Sequence, residues 1–116
     1  QKWIEFILDQ IETNALTYTP PQSGVIRIYT RRRENSVQLF IADNGVGIDP
    51  KDIRRIFQKG FTGSNRPHNE QATGIGLYLC RNLCHKLYLD IDVESRLHKG
   101  TTMIITFPLS NLMLLK

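Results

Sequence analysis

Two short stretches of this chain pair a side chain that could bind a ligand with glycines that would let one approach. The first is IADNGVGIDP, residues 41 to 50, where Asp43 ends an alternating apolar run and Gly45 and Gly47 come directly after it. A carboxylate in that position can accept a hydrogen bond from an exocyclic amine, and bare backbone beside it admits a flat ring, which is how an adenine would be held. Read alone, Asn44-Gly45 is also the strongest short hairpin signal. The next residues argue against a hairpin: Val46-Gly47-Ile48 leads to a helix-start signal at Asp49-Pro50, so no partner strand begins where a two-residue turn needs one.

The second stretch is Thr73-Gly74-Ile75-Gly76-Leu77, which opens a helical pattern directly after a long irregular segment. Free backbone N–H groups and the positive end of the helix dipole make such a start a natural anion site, with phosphate as the guest. It lacks the lysine and hydroxyl of a P-loop and the preceding strand of a dinucleotide fold, so its weight comes from being paired with the Asp43 stretch some thirty residues upstream. A third group, Gln10, Asn14 and Thr17, has helical spacing that lines all three along one face. An amide oxygen such as that of Asn14 could ligate Mg²⁺, which takes oxygen ligands and shares them with substrate phosphates.

The elements that must position these groups can be read from periodicity. Trp3, Ile4, Ile7, Leu8, Ile11 and Ala15 recur at three and four, predicting a helix that ends before Pro20-Pro21. Val25 to Arg31 and Ser36 to Asp43 alternate around Glu34-Asn35 and predict a hairpin. A short second helix is expected behind Asp49-Pro50, carrying Ile53, Ile56 and Phe57, and then a loop from Gln58 to Thr73. Loops of about sixteen residues inside a compact domain are usually functional or mobile. A third helix opens near Gly74 to Gly76 with Leu77, Cys80, Cys84 and Leu87 on one stripe, and strands from Tyr88 to Ser95 and Thr101 to Leu109 flank a turn at His98-Lys99-Gly100. The fold expected is α+β: a two-layer sandwich whose mixed, mostly antiparallel sheet is covered on one face by about three helices.

With 116 residues, 41% hydrophobic and 22% charged, the chain has ordinary globular composition and one domain, 1–116, is the default. No apolar run nears the roughly 20 residues that span a bilayer and no signal pattern opens the chain, so a soluble domain is expected. Net charge is +4, with Arg31-Arg32-Arg33 between strand-like runs; without interleaved aromatics or a reading helix this is a solvated hairpin end, and nucleic acid is not expected as a partner. Cys80 and Cys84 do not have the spacing of a CxxC site and read as buried small apolar side chains in a reducing compartment.

Taken in order, Asn14-Ala15-Leu16 with Tyr18, Asp43-x-Gly45-x-Gly47, Phe57-Gln58-Lys59-Gly60-Phe61, Gly74-Ile75-Gly76-Leu77 and Gly100-Thr101-Thr102 resemble the N, G1, F, G2 and GT boxes of one family. It is the catalytic ATP-binding domain of sensor histidine kinases, within the wider Bergerat-fold (GHKL) group that includes gyrase and MutL. KGFTGSN and TGIGLYLC look most like the Gram-positive intramembrane-sensing kinases that respond to cell-envelope antibiotics. Five ordered boxes across nearly the whole chain make the resemblance specific.

The resemblance implies ATP and Mg²⁺ as cofactors. Asp43 would bind the adenine amino group, with Gly45 and Gly47 shaping the pocket and Thr101 assisting through water. Asn14 would hold Mg²⁺ and Tyr18 would line the phosphate or ribose side. Gly74, Gly76 and Leu77 would border the phosphates beneath a lid at about residues 57–73, anchored by Phe57 and Phe61, with Ile48, Ile53 and Ile75 as apolar walls. The γ-phosphate would pass to a histidine on a separate dimerisation and phosphoacceptor domain, and indirectly to a response regulator. The setting implied is a cytoplasmic domain of a bacterial membrane protein, monomeric in isolation, with membrane contact only through other parts of the parent.

Three departures from the family pattern matter. Thr17 stands where many members carry a lysine, leaving Lys59 or Arg66 to supply that phosphate contact. Gln10 stands where ATP-hydrolysing relatives carry a glutamate; it cannot act as a base, which speaks against a hydrolysing clamp and fits transfer to a neutral imidazole. None of His68, His85 and His98 lies in a phosphoacceptor setting, so the acceptor is expected on another segment, and the chain begins inside its first helix without a leading strand. A degenerate nucleotide-binding or interaction module is the alternative, favoured if Thr17 has abolished productive phosphate binding.

Overall fold

The computed structural model describes residues 2–18, 23–60 and 76–109, with side chains described for 2–13, 23–60 and 76–109. Helix α1 spans Lys2–Tyr18, strand β1 Ile26–Arg32 and strand β2 Ser36–Asp43. A 3-10 turn at Ile53–Arg55 precedes helix α2, Gly76–Lys86, and strands β3, Asp90–Arg96, and β4, Gly100–Pro108. The four strands form one sheet in the order β1-β2-β4-β3, every neighbouring pair antiparallel.

The α+β sandwich expected from the sequence is the one observed, with two differences of detail. The described sheet is wholly antiparallel, and the expected middle helix is a single 3-10 turn. Its backbone shows why: Asp52 N–H bonds Asp49 O, Arg55 N–H bonds Asp52 O and Gln58 N–H bonds Arg55 O, a chain of i→i+3 contacts that never becomes an α ladder. The Asp49 carboxylate also accepts the Lys51 N–H at 3.0 Å, tightening the first turn.

Period-two alternation sends Ile41 of β2 and Met103 and Ile105 of β4 to one face of the sheet. There they meet Ile7 and Ile11 of α1 and Cys80 and Cys84 of α2, all buried, forming a single core with Leu89. The helices run in opposite directions, since the Cys80 thiol lies 3.8 Å from the Ile7 carbonyl while Gln10 reaches Gly76. Both thiols are therefore core groups, as the sequence suggests. Burial first and the neighbouring Cys84 second push the Cys80 thiol up to about 12; burial and the Asp90 charge push Cys84 up to about 11.

The expected strand from Tyr88 begins instead at Asp90, because α2 ends in a Schellman motif. Leu89 N–H bonds the Cys84 carbonyl at 2.8 Å and Tyr88 N–H bonds that of His85 at 3.1 Å. This places Tyr88 at φ 59, a left-handed position usually held by glycine, while Leu89 turns into the core.

Burial and raised pKa together predict inert thiols. The native protein should show no stoichiometric reaction with a disulfide reagent at pH 8, and both thiols should titrate once it is unfolded; rapid native labelling would contradict this placement.

Candidate functional site

The antiparallel registers align Ile26, Asp43, Thr101 and Ser95 as one row across the sheet, at the end where β2 stops. Asp43 shares its face with Ile41, so its side chain points to the helix-covered side. The carboxylate is fixed by the main chain: Oδ1 accepts the Gly45 N–H at 2.9 Å and the Thr101 N–H at 3.2 Å. Among the described residues Oδ2 has no hydrogen-bond partner, which leaves one acceptor atom held in a set direction. Burial raises the Asp43 pKa from its ordinary value, and the Gly45 and Thr101 N–H groups oppose that shift by favouring the charged form.

The loop after Asp43 is not a hairpin. The Asn44 side chain instead seals the entrance to β1, its Oδ1 accepting the Val25 N–H at 2.8 Å and its Nδ2 donating to the Ser23 carbonyl at 3.0 Å. Beyond it the loop is clamped to the β3–β4 turn. His98 N–H bonds the Val46 carbonyl at 2.7 Å, and Ile48 N–H bonds Ser95 Oγ at 2.8 Å. Ser95 Oγ also lies 2.9 Å from the Gly100 carbonyl and 2.8 Å from Thr101 Oγ1, joining both loops to the hydroxyl beside Asp43.

Two glycines in this clamp are required by contact as well as by conformation. Gly47 has φ 74, and a Cβ there would collide with the Arg96 carbonyl; Gly100 has φ 122, and a Cβ there would collide with the Asp43 carbonyl. Gly47 therefore has a packing duty besides any role in shaping a pocket.

On the helix side, Gln10 is half-buried, and its Oε1 lies 2.5 Å from where a Cβ on Gly76 would sit. Gly76 is thus a close-approach position at the first described residue of α2. The Lys59 ammonium lies 6.0 Å from the centre of the Tyr78 ring, bringing a positive charge to the same end of α2. Phe57 packs on the core, with the Arg81 guanidinium 5.6 Å from its ring centre, which ties the segment after the 3-10 turn to α2. Leu77 also packs against the core cluster, and Ile48 and Ile53 are half-buried.

The α1 backbone is helical through Asn14, Thr17 and Tyr18, placing Asn14 one turn beyond Gln10; their side chains, together with Phe61, Arg66, Gly74, Ile75 and most of the expected lid, lie outside the described residues. Sequence reasoning missed Ser95. Its signal was available in the hairpin pairing around His98-Lys99, which sets Ser95 across from Thr101.

Either glycine changed to alanine, Gly47→Ala or Gly100→Ala, combines a left-handed strain of about 1–2 kcal/mol with a backbone collision. Each is expected to lower the melting temperature by roughly 10 °C or more, clearly further than Gly60→Ala, which shares the left-handed strain at φ 80 but has open space where the Cβ would sit; a Gly100→Ala melting curve shifted no further than that of Gly60→Ala would refute the clamp.

Comparison with known proteins agrees with this geometry. Residues 1–111 match the family model described as histidine kinase-, DNA gyrase B- and HSP90-like ATPase. Sensor protein BceS of Bacillus subtilis is 43% identical over 110 residues, covering 95% of this chain and 32% of that protein. Sensor histidine kinase GraS of Staphylococcus haemolyticus is 40% identical over 110 residues, covering 95% of this chain and 31% of that protein. The chain thus spans about a third of the length of the curated relatives it matches. The fold matches that of the mycobacterial sensor histidine kinase MprB with a TM-score of 0.83 at 20% identity, over 92% of this chain and 72% of that one. The match over residues 1–111, almost end to end, places this protein in the histidine kinase-, gyrase B- and HSP90-like ATPase family.

Proposed function

We propose that this chain binds ATP with Mg²⁺ and presents the γ-phosphate to a histidine on a separate dimerisation and phosphoacceptor domain of a two-component sensor kinase. The observation that carries this reading is the state of Asp43, with Oδ1 occupied by two main-chain donors and Oδ2 left to accept an adenine amino proton. The Thr101 hydroxyl, buried and bonded to Ser95 Oγ, would order the water beside the base.

The rest of the nucleotide would extend toward the start of α2. Backbone N–H groups at that helix start and the Lys59 ammonium would meet the phosphates there, with this lysine taking the part that Thr17 cannot. Among the described residues no cluster of three His, Cys, Asp or Glu side chains could hold a metal. An ion held chiefly by nucleotide phosphates needs one protein oxygen, and Asn14, one turn beyond Gln10 on α1, is the residue we propose for it. When bound, Mg²⁺ would neutralise charge on the phosphates during transfer.

Gln10 abuts Gly76 at the phosphate end and offers an amide instead of a carboxylate. It can orient but not deprotonate, so water is not activated, whereas a neutral imidazole attacks without a base. Phosphoryl transfer depends chiefly on positioning and charge stabilisation, so the domain's task is to hold nucleotide and acceptor in line. No described helix is long and apolar enough to cross a membrane. We assign the domain to the cytoplasmic side of a membrane-anchored bacterial parent, whose other segments supply the acceptor histidine, with a response regulator downstream.

Titration with a non-hydrolysable ATP analogue, with and without Mg²⁺, tests the reading. The unmodified chain should bind in a magnesium-dependent way, and Asp43→Asn should bind about 10- to 100-fold more weakly, because its amide presents a donor to the adenine amine. Asn can still accept both main-chain N–H groups. Because the Asp43 pKa is raised on folding, its protonated form is the stabilised one, and ionisation withdraws that stability as pH rises through the folded pKa. Asp43→Asn should therefore melt no lower than the parent at pH 7; loss of binding accompanied by a lower melting point would mean the carboxylate is structural. With the full-length parent, acid-labile phosphate on a histidine is the expected product.

A further inference from the structure

The sheet face turned away from the helices carries its charges in two separated stripes. Three cross-strand rows define it: one runs from Arg27 on β1 to Glu94 on β3, the next from Tyr29 to Asp92, the third from Arg31 to Asp90. Asp90, Asp92 and Glu94 are all exposed, as are Arg27 and Arg31. Arg33 reinforces the basic side by donating from Nε to Gln38 Oε1 at 2.8 Å. Between the stripes β2 and β4 present neutral side chains, with Phe40 and Ile104 in the middle row.

The basic stripe is held in place. Tyr29 stacks on Phe40 with ring centres 4.9 Å apart and planes 2° from parallel. The Arg31 guanidinium lies 5.2 Å from the Phe40 ring centre, and that of Arg27 lies 5.5 Å from the Tyr29 ring centre. Both arginines are thus fastened through flat contacts that leave their N–H edges available. Across three strand spacings, about 14 Å, the stripes cannot neutralise each other within one sheet. Among the described residues none of the three carboxylates forms an ion pair.

We propose that this face docks a second copy of the chain. A two-fold axis lying between two facing sheets and parallel to the strands reverses strand order while leaving each row at its own height. The axis therefore sets β1 of one copy over β3 of the other, with Arg27 facing Glu94 and Arg31 facing Asp90, twice over; Phe40 and Ile104 at the centre are already buried within each copy, so the charged rows carry the contact. An axis across the strands would set arginine on arginine. The charge pattern thus selects one of the two face-to-face arrangements. Facing sheets normally cross at about 30°, a rotation the long arginine side chains span.

Four strands and three rows give a face of about 20 by 20 Å, roughly 400 Å² per copy, half of what a standard stable interface buries. The contact is therefore weak and salt-sensitive, forming at high local concentration or when the two copies are already tethered. It is independent of the nucleotide reading, since Asp43 lies on the opposite face.

Sedimentation velocity of this chain from about 50 μM to about 1 mM in low salt should show a rising weight-average coefficient that about 0.5 M NaCl abolishes. Arg27→Glu with Arg31→Glu, and separately Asp90→Arg with Glu94→Arg, should each sediment as monomers at every concentration. An equimolar mixture of the two variants should associate again, because each then offers what the other lacks. Parent and variants should melt at closely similar temperatures, which reports an intact fold. A parent that stays monomeric throughout, or association that survives both reversals, overturns the proposal, the latter pointing to another surface such as the apolar groove of Trp3, Phe6, Leu79 and Leu83.

Discussion

The bond pair that joins the Asp43 carboxylate to the N–H groups of Gly45 and Thr101 ties the end of β2 both to the loop that follows it and to the distant start of β4. It ends β2, begins the loop beyond it and holds the first residues of β4. Without the Thr101 contact the carboxylate would be held by its own loop alone and not by the neighbouring strand. The Gly45 contact sets the first bend of the loop, which the Val46 and Ile48 bonds then fasten to the β3–β4 turn. The core beneath, built by Ile41, Met103 and Ile105 against the two helices, supplies the rigidity that makes one free oxygen directional.

Much of this was legible in the residues. Alternation gave both hairpins nearly to the residue, and the helical period gave α1 and the buried stripe of Cys80 and Cys84 in α2. The site's main acceptor, Asp43, could be named because its neighbours Gly45, Gly47 and Pro50 together exclude a two-residue hairpin. What escaped depended on facts that period alone does not carry. Tyr88 looked like the first residue of a strand because an aromatic after an apolar stripe usually is one; the Schellman bonds to Cys84 and His85 required a left-handed residue there, and tertiary packing of Leu89 overrode the preference for glycine. Ser95 escaped because its importance lies in the cross-strand partner, and a register must be worked out before a serine can be seen to bridge two loops.

The glycines also separate into different kinds of necessity. Gly47 and Gly100 stand where neighbouring carbonyls occupy the space a side chain would need, in left-handed backbone. Gly76 lacks the left-handed backbone and, among the described residues, meets the tip of Gln10, so its requirement comes from a flexible side chain and from whatever approaches the start of α2. A glycine motif in a sequence therefore conceals at least two physical demands, one internal to the fold and one imposed by a guest. The first is written in the chain's own contacts, the second in the shape of the ligand.

The aiming of Asp43 by main-chain amides has an evolutionary corollary. Amide protons belong to every residue except proline, so the loop's side chains can drift without disturbing the carboxylate they surround. Inheritance needs to preserve little more than an acidic residue, two glycines and a hydroxyl, and can rewrite the remainder. At the level of the fold such divergence is visible: four residues in five differ from MprB, and the two chains still superimpose closely.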